Sequence, residues 1–192
     1  SLILSPTQSM VIRNIQPADK AKVTDLMARH AVKQIEDVDP VVRLAMACPA
    51  LPLCGLAVTE AERYMPTMLR RIRSLLDHLH LDGEELLVRM TGCPNGCARP
   101  YMAELAFVGD GKNSYQLYLG GSPVLTRVGF PYKDRCKVAT IEHDLEPLFA
   151  MWRDMRLDDA EAFGDFVTRV GADALNQFAD GYTPTAPIYA AA

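Results

Sequence analysis

The chain has 192 residues, 49% hydrophobic and 23% charged, with a net charge of -4. This is an ordinary globular composition with enough apolar material for one domain and part of another. The acidic balance argues against nucleic acid as the main partner. No run approaches the ~18 apolar residues of a membrane span, and no basic region, apolar core and cleavage site mark a secretory signal. Five cysteines are too few for a disulfide scaffold, and the odd number leaves one over. Metal-bound thiolates in a reducing compartment fit better.

The chain opens with Ser1-Leu2-Ile3-Leu4, without an initiator Met, and reads as the middle of a strand. The expectation is a piece of a longer polypeptide. A turn at Ser5–Ser9 leads to Met10-Val11-Ile12, whose β-branched character predicts a strand. Pro17 suits a helix start, and Val23, Leu26 and Met27 follow at helical spacing. Residues 1–36 therefore read as half of an α+β unit. Residues 35–40 read as an acidic linker.

Cys48 and Cys54 stand in a Pro-bearing loop, C-x5-C. Beyond it, Thr59 and Glu62 are spaced as the capping box of a short helix, which Pro66 interrupts. A second helix is predicted to about Leu79, with Met65, Leu69, Ile72, Leu75, Leu76 and Leu79 on one face. Arg70, Arg71 and Arg73 occupy the other. They read as a solvated face or as a surface for an acidic electron donor.

Leu86–Met90 reads as a buried strand running into Thr91-Gly92-Cys93-Pro94-Asn95-Gly96-Cys97, a C-x3-C loop. A short helical stretch follows near Pro100–Ala103. Glu104–Val108 and Tyr115–Leu119 form a predicted hairpin around Gly109–Asn113. Residues 122–137 read as irregular. A helix starts near Thr140, with Ile141, Leu145, Leu148, Phe149 and Trp152 on one side, and Phe163–Val170 is a segment of undecided type. The end, with Pro184 and Pro187, reads as a flexible tail. Cys136 reads as a spare thiol whose basic neighbours could lower its pKa. His30, His78, His80 and His143 read as ordinary surface or core histidines.

C-x5-C is too wide for a zinc knuckle, and C-x-x-C redox spacing is absent. A [4Fe–4S] cluster accepts varied spacings because its corners can be reached from different loops. Gly and Pro would turn the backbone sharply around it and let amides approach sulfur. Spacing favours the cluster and leaves zinc and free or paired thiols open.

Cys48-Pro49-Ala50-Leu51-Pro52-Leu53-Cys54, with Ala57–Arg63 after it, resembles the first cluster motif of assimilatory sulfite reductase haemoproteins, and Thr91–Cys97 resembles the second. Sirohaem nitrite reductases share the framework, but their first loop usually opens with a Cys-Thr-Gly type sequence, unlike Cys48-Pro49-Ala50. The run Ala98–Leu105, then Val108–Gly111 and Asn113–Gln116, is similar to the ferredoxin-dependent branch. An NADPH flavoprotein-served haemoprotein or a nitrite reductase is the alternative, and a non-catalytic iron–sulfur or zinc module is the non-enzyme one.

The resemblance implies an α+β fold. Residues 1–36 would be part of a ferredoxin-like linking domain, 37–175 the [4Fe–4S]/sirohaem domain and 176–192 a flexible tail. It implies that Cys48, Cys54, Cys93 and Cys97 ligate the cluster and that Cys97 bridges it to the sirohaem iron. Asn95 and Arg99 would contact sirohaem. The implied reaction is six-electron reduction of sulfite to sulfide, with ferredoxin as donor, in the plastid stroma of a eukaryote or the cytoplasm of a bacterium. The Arg and Lys residues that bind sulfite would belong to an N-terminal half that is not in this sequence, so no catalytic residue is assigned here. Lys133, Arg135 and Lys137 could contact ferredoxin or form a solvated loop.

Overall fold

The computed structural model describes residues 1–189. Two strands, β1 (Leu2–Leu4) and β2 (Met10–Ile12), pair antiparallel with Leu2 opposite Ile12. Helix α1 (Lys20–Arg29) follows a 3-10 turn begun by Pro17. No residue from 1 to 36 is buried, so Leu2, Leu4, Met10, Val11 and Ile12 lie open. Hydrogen bonds tie this part to the rest from the Gln8 amide to the Ala47 carbonyl, from Arg99 to the Pro6 carbonyl and from Arg43 to the Glu36 carbonyl.

The predicted linker ends in a short helix, α2 (Pro40–Arg43), capped by the Asp39 carboxylate on the Val41 N–H at 2.8 Å. Strand β3 (Met46–Ala47) leads directly into the first cysteine loop. Residues 55–64 form turns rather than the expected short helix. Helix α3 is single, Met65–His78, and Pro66 sits in its first turn, where its missing N–H costs nothing. Its buried residues include Met65, Leu69, Ile72, Leu75 and Leu76, as the periodicity predicts.

The main sheet has the order β3-β4-β5-β6-β7. Strand β4 (Val88–Thr91) is buried at every position and runs parallel to β3 and to β5 (Leu105–Gly111). Strands β5 and β6 (Ser114–Leu119) form the expected hairpin. Gly111 pairs with Ser114 across Lys112-Asn113, and Asn113 takes φ 50°, as a tight hairpin turn requires. The region expected to be irregular contains β7 (Phe130–Lys137), an antiparallel edge strand with two register shifts. Pro131 is tolerated there because an edge strand leaves one side unpaired.

Helix α4 (Ile141–Met155) packs with α3, and α5 (Phe163–Gly181), kinked at Gly171, packs with α4. Their apolar faces join Phe107 and Leu117 of the sheet in one core. Phe163 meets Phe149 and Trp152 edge-on, with ring centroids 5.2 and 5.5 Å apart. Glu104 is buried between layers and accepts the N–H groups of Leu87 and Gly164, both at 2.9 Å. The stretch expected to begin a flexible tail at residue 176 is helical to Gly181. From Tyr182 to Tyr189 it is held by hydrogen bonds to two buried carboxylates, Glu142 and Glu146. Residues 190–192 of that stretch lie outside the described residues.

Candidate metal centre

The two cysteine loops meet because of strand direction. Strands β3 and β4 are parallel neighbours, so the loops that leave their C-terminal ends emerge at one edge of the sheet. The Cys48 N–H donates to the Met90 carbonyl at 3.2 Å, and the Val58 N–H donates to the Gly92 carbonyl at 2.8 Å. These bonds carry the β3–β4 pairing into the loops. Gly92 lies against the first loop so closely that a Cβ would stand 2.7 Å from Ala50 Cβ and 2.7 Å from the Thr59 carbonyl oxygen. Only glycine permits that approach. Its N–H donates to Cys48 Sγ at 3.3 Å.

Each loop is also tied internally. The Cys54 N–H donates to the Ala50 carbonyl at 2.8 Å, and the Glu62 N–H to the Cys48 carbonyl at 3.1 Å. The Tyr101 hydroxyl donates to the Pro94 carbonyl at 2.5 Å, and the Arg99 N–H to the Gly96 carbonyl at 2.7 Å. Tyr101 is itself stacked edge-on against Tyr118 at 4.9 Å. It therefore braces the second loop from the sheet.

All five cysteines are free thiols. Cys48 and Cys93 are buried, Cys54 is half-buried and Cys97 is exposed. Burial pushes the Cys48 thiol up, the Gly92 and Ala50 N–H groups pull it back, and the neighbouring Cys97 and Cys93 push it up again. Cys93 and Cys97 thus lie within electrostatic reach of Cys48. Asn95 is exposed at the tip of the second loop, and half-buried Arg99 stands at its exit in a left-handed conformation, φ 52°. Among the described residues no three His, Cys, Asp or Glu side chains converge tightly enough to hold a single metal ion.

Cys136 is not activated by its basic neighbours. Burial, then the nearby Asp144 carboxylate, pushes its thiol up to about 12. Arg70, Arg71 and Arg73 do not form one solvated face. Arg71 is buried and clamps Glu142 through Nε and Nη2, both at 2.6 Å, while Nη1 donates to the Tyr64 hydroxyl. Arg73 holds Asp39 through Nε at 2.9 Å and Nη2 at 3.0 Å. Arg70 alone is exposed. Lys133 is paired with Asp144 at 2.7 Å. His78 reaches the Thr185 hydroxyl at 3.1 Å. No helix among the described residues is long and apolar enough to cross a membrane.

Two features escaped the sequence reading. A cavity of about 630 Å³ lies beside the first loop, walled by Met46, Met65 and Leu69, with Gln8, Glu62 and Arg70 at its polar positions. Arg89, in the strand that feeds the second loop, is buried with its Nε unpartnered. Its position between the apolar Val88 and Met90 was the available signal.

No family model matches the chain. It is 52% identical over 181 residues to a sulfite reductase [ferredoxin] of Synechococcus elongatus, covering 94% of this chain and 29% of that protein. It is 43% identical over 171 residues to a sulfite reductase [NADPH] hemoprotein beta-component of Staphylococcus epidermidis, covering 89% of this chain and 30% of that protein. The chain therefore spans about three tenths of the length of these curated relatives. Among solved structures, the Mycobacterium tuberculosis NirA protein matches 91% of the chain with a TM-score of 0.63 at 23% identity. Dissimilatory sulfite reductase I matches 100% of the chain with a TM-score of 0.62 at 12% identity. At those identities the structural likeness speaks for the fold alone.

Proposed function

We propose that the chain is one part of a sulfite reductase haemoprotein, the part that holds a [4Fe–4S] cluster and one side of sirohaem. Cys48, Cys54, Cys93 and Cys97 would hold the cluster, with Cys97 shared with the sirohaem iron. Asn95 would hydrogen-bond a sirohaem carboxylate, and Arg99 would stand beside the haem. When bound, the two groups would supply electrons to sulfite, which needs six, with protons enough to carry its three oxygens away as water.

The residues present suit such a centre. The donor set is four free thiols on two loops locked side by side. The observation that carries the reading is the Gly92 N–H donated to Cys48 Sγ at a glycine whose Cβ position is already filled by the other loop. Amide hydrogen bonds to sulfur both hold a thiolate and tune a cluster. Exposed Cys97 and Asn95 leave a face on which a flat ligand can lie, and buried Cys48 and Cys93 exclude water behind it.

Ferredoxin is the favoured donor, since the ferredoxin-type relative is 52% identical against 43% for the NADPH type. An NADPH flavoprotein remains the alternative. The compartment that goes with this donor is a plastid stroma or a bacterial cytoplasm. Residues 1–36 would be part of a ferredoxin-like linking domain, whose open apolar residues await a partner surface. The groups that grip sulfite are assigned to the portion of the relatives that this chain does not span.

The test is anaerobic loading of the chain with iron and sulfide, followed by metal analysis and a visible spectrum. The expected result is iron and sulfide in equal amounts with a broad iron–sulfur absorption. Cys48→Ser, Cys54→Ser, Cys93→Ser and Cys97→Ser should each lose it, and Cys136→Ser should keep it. A colourless chain that binds zinc, or a cluster that survives all four substitutions, would refute the proposal.

A further inference from the structure

Among the described residues, every arginine that is not exposed ends on a carboxylate, with two exceptions. Arg43 meets Glu85, Arg71 meets Glu142, Arg73 meets Asp39, Arg127 meets Asp165, Arg153 meets Asp154 and Arg156 meets Glu84. Arg89 and Arg99 meet none. Arg89 is 1% exposed, its Nε has no partner, and its one hydrogen bond runs from Nη1 to the Arg99 carbonyl at 3.1 Å. Arg99 spends its guanidinium on the Pro6 carbonyl and the Met46 sulfur. Neither guanidinium forms an ion pair, although Arg89 Nη1 reaches the Arg99 backbone. A guanidinium cannot escape this by losing its proton, and a buried charge without a counter-charge is strongly unfavourable.

Arg89 lies on the strand that feeds the second cysteine loop. Arg89 pairs in register with Met46, two residues before Cys48, and sits four residues before Cys93 on the same strand. The carbonyl it holds belongs to Arg99, two residues after Cys97, which closes the second loop through its own N–H. Its guanidinium is anchored at the exit of the loop that carries two of the four thiols.

We propose that Arg89 is the buried counter-charge of the anionic iron–sulfur centre held by Cys48, Cys54, Cys93 and Cys97, and that it raises the reduction potential of that centre. This rests on the four-cysteine reading above. Four thiolates leave such a centre negative, and one electron from a low-potential donor adds one more negative charge. A fixed cation in a poorly solvated setting stabilises the reduced state more than the oxidised one.

The test is a redox titration of the chain loaded with iron and sulfide, following the reduced centre by electron paramagnetic resonance, in wild type, Arg89→Met, Arg89→Gln and Arg89→Lys. The neutral variants should keep their iron and sulfide and require a potential lower by about 59 mV, a tenfold shift for one electron. Arg89→Lys should stay within about twofold of wild type. A loaded neutral variant with the wild-type potential overturns the proposal, and points to Arg89 serving a ligand carboxylate or the packing alone. If neither neutral variant loads, Arg89→Lys decides. Loading with the wild-type potential supports the charge, and failure to load shows a packing role and overturns it. A wild-type chain that takes up no iron and sulfide refutes the four-cysteine reading itself, an outcome distinct from an unchanged potential.

Discussion

Arg71 and Arg89 are both buried arginines, and they mark two regions built on opposite terms. Every nitrogen of the Arg71 guanidinium has a partner, Glu142 through two bonds and Tyr64 through a third. One helical turn on, Glu146 accepts from the Tyr182 hydroxyl and from the Thr185 N–H and hydroxyl on one oxygen, and from the Ala186 N–H on the other. The main sheet carries orphans, the Arg89 Nε and the Thr91 hydroxyl on β4, where it feeds the cysteine loop, and the Ser114 hydroxyl on β6. Satisfied burial is what a scaffold needs. Unsatisfied burial is a cost that a protein tolerates where a ligand, rather than the chain, completes the bonding. The contrast sets the bonded guanidinium of Arg71 against strand β4, which leads into the second cysteine loop with two polar groups unpartnered.

The largest effect expected from breaking this contrast is at Arg71. Arg71→Met would strand the Glu142 carboxylate in the core and should cost about 3–5 kcal/mol, as loss of one partner of a buried pair does. Urea unfolding would measure it, and a loss under about 1 kcal/mol would put Arg71 in the same class as a surface pair.

Acid should act next, through Glu146. Burial pushes its carboxyl up, but the hydrogen bonds from Thr185, Ala186 and Tyr182 outweigh burial and hold it below its ordinary value. A depressed folded pKa adds stability above the unfolded value near 4.5, and that stability is lost as pH falls through the folded value. Glu146→Gln should lower stability at neutral pH by about 1.5–3 kcal/mol and flatten the acid limb of a stability-against-pH curve. Proteolysis within residues 182–189 should accelerate in parallel. An unchanged acid limb would show that the carboxylate does not hold that segment.

The smallest effect is expected on strand β4. Thr91→Val removes a buried hydroxyl that has no partner and keeps its shape, so the metal-free chain should be unchanged or more stable, by no more than ~1 kcal/mol. A loss above ~2 kcal/mol in unfolding measurements would mean that Thr91 is bonded within the chain after all.

Much of this was legible from local pattern. The two cysteine loops, the apolar face of α3, the buried strand at Val88–Met90 and the β5–β6 hairpin each depend on residues within a few positions of one another. The failures share one cause. Arg71 looked solvated because its partner Glu142 lies 71 residues away. The segment from 176 looked flexible because Glu146 is not its neighbour in sequence. Strand β7 looked irregular because an edge position lets it carry Pro131 and shifted register.

By itself the sequence determined which atoms a centre could use: four thiols on two turns rich in Pro and Gly, because thiol chemistry and turn geometry are properties of short segments. Only the tertiary structure decided that the two turns leave neighbouring parallel strands at one edge, and that a buried cation without a counter-charge lies where they leave. Strand pairing and burial are set by contacts between residues far apart in the chain, and no local spacing encodes them.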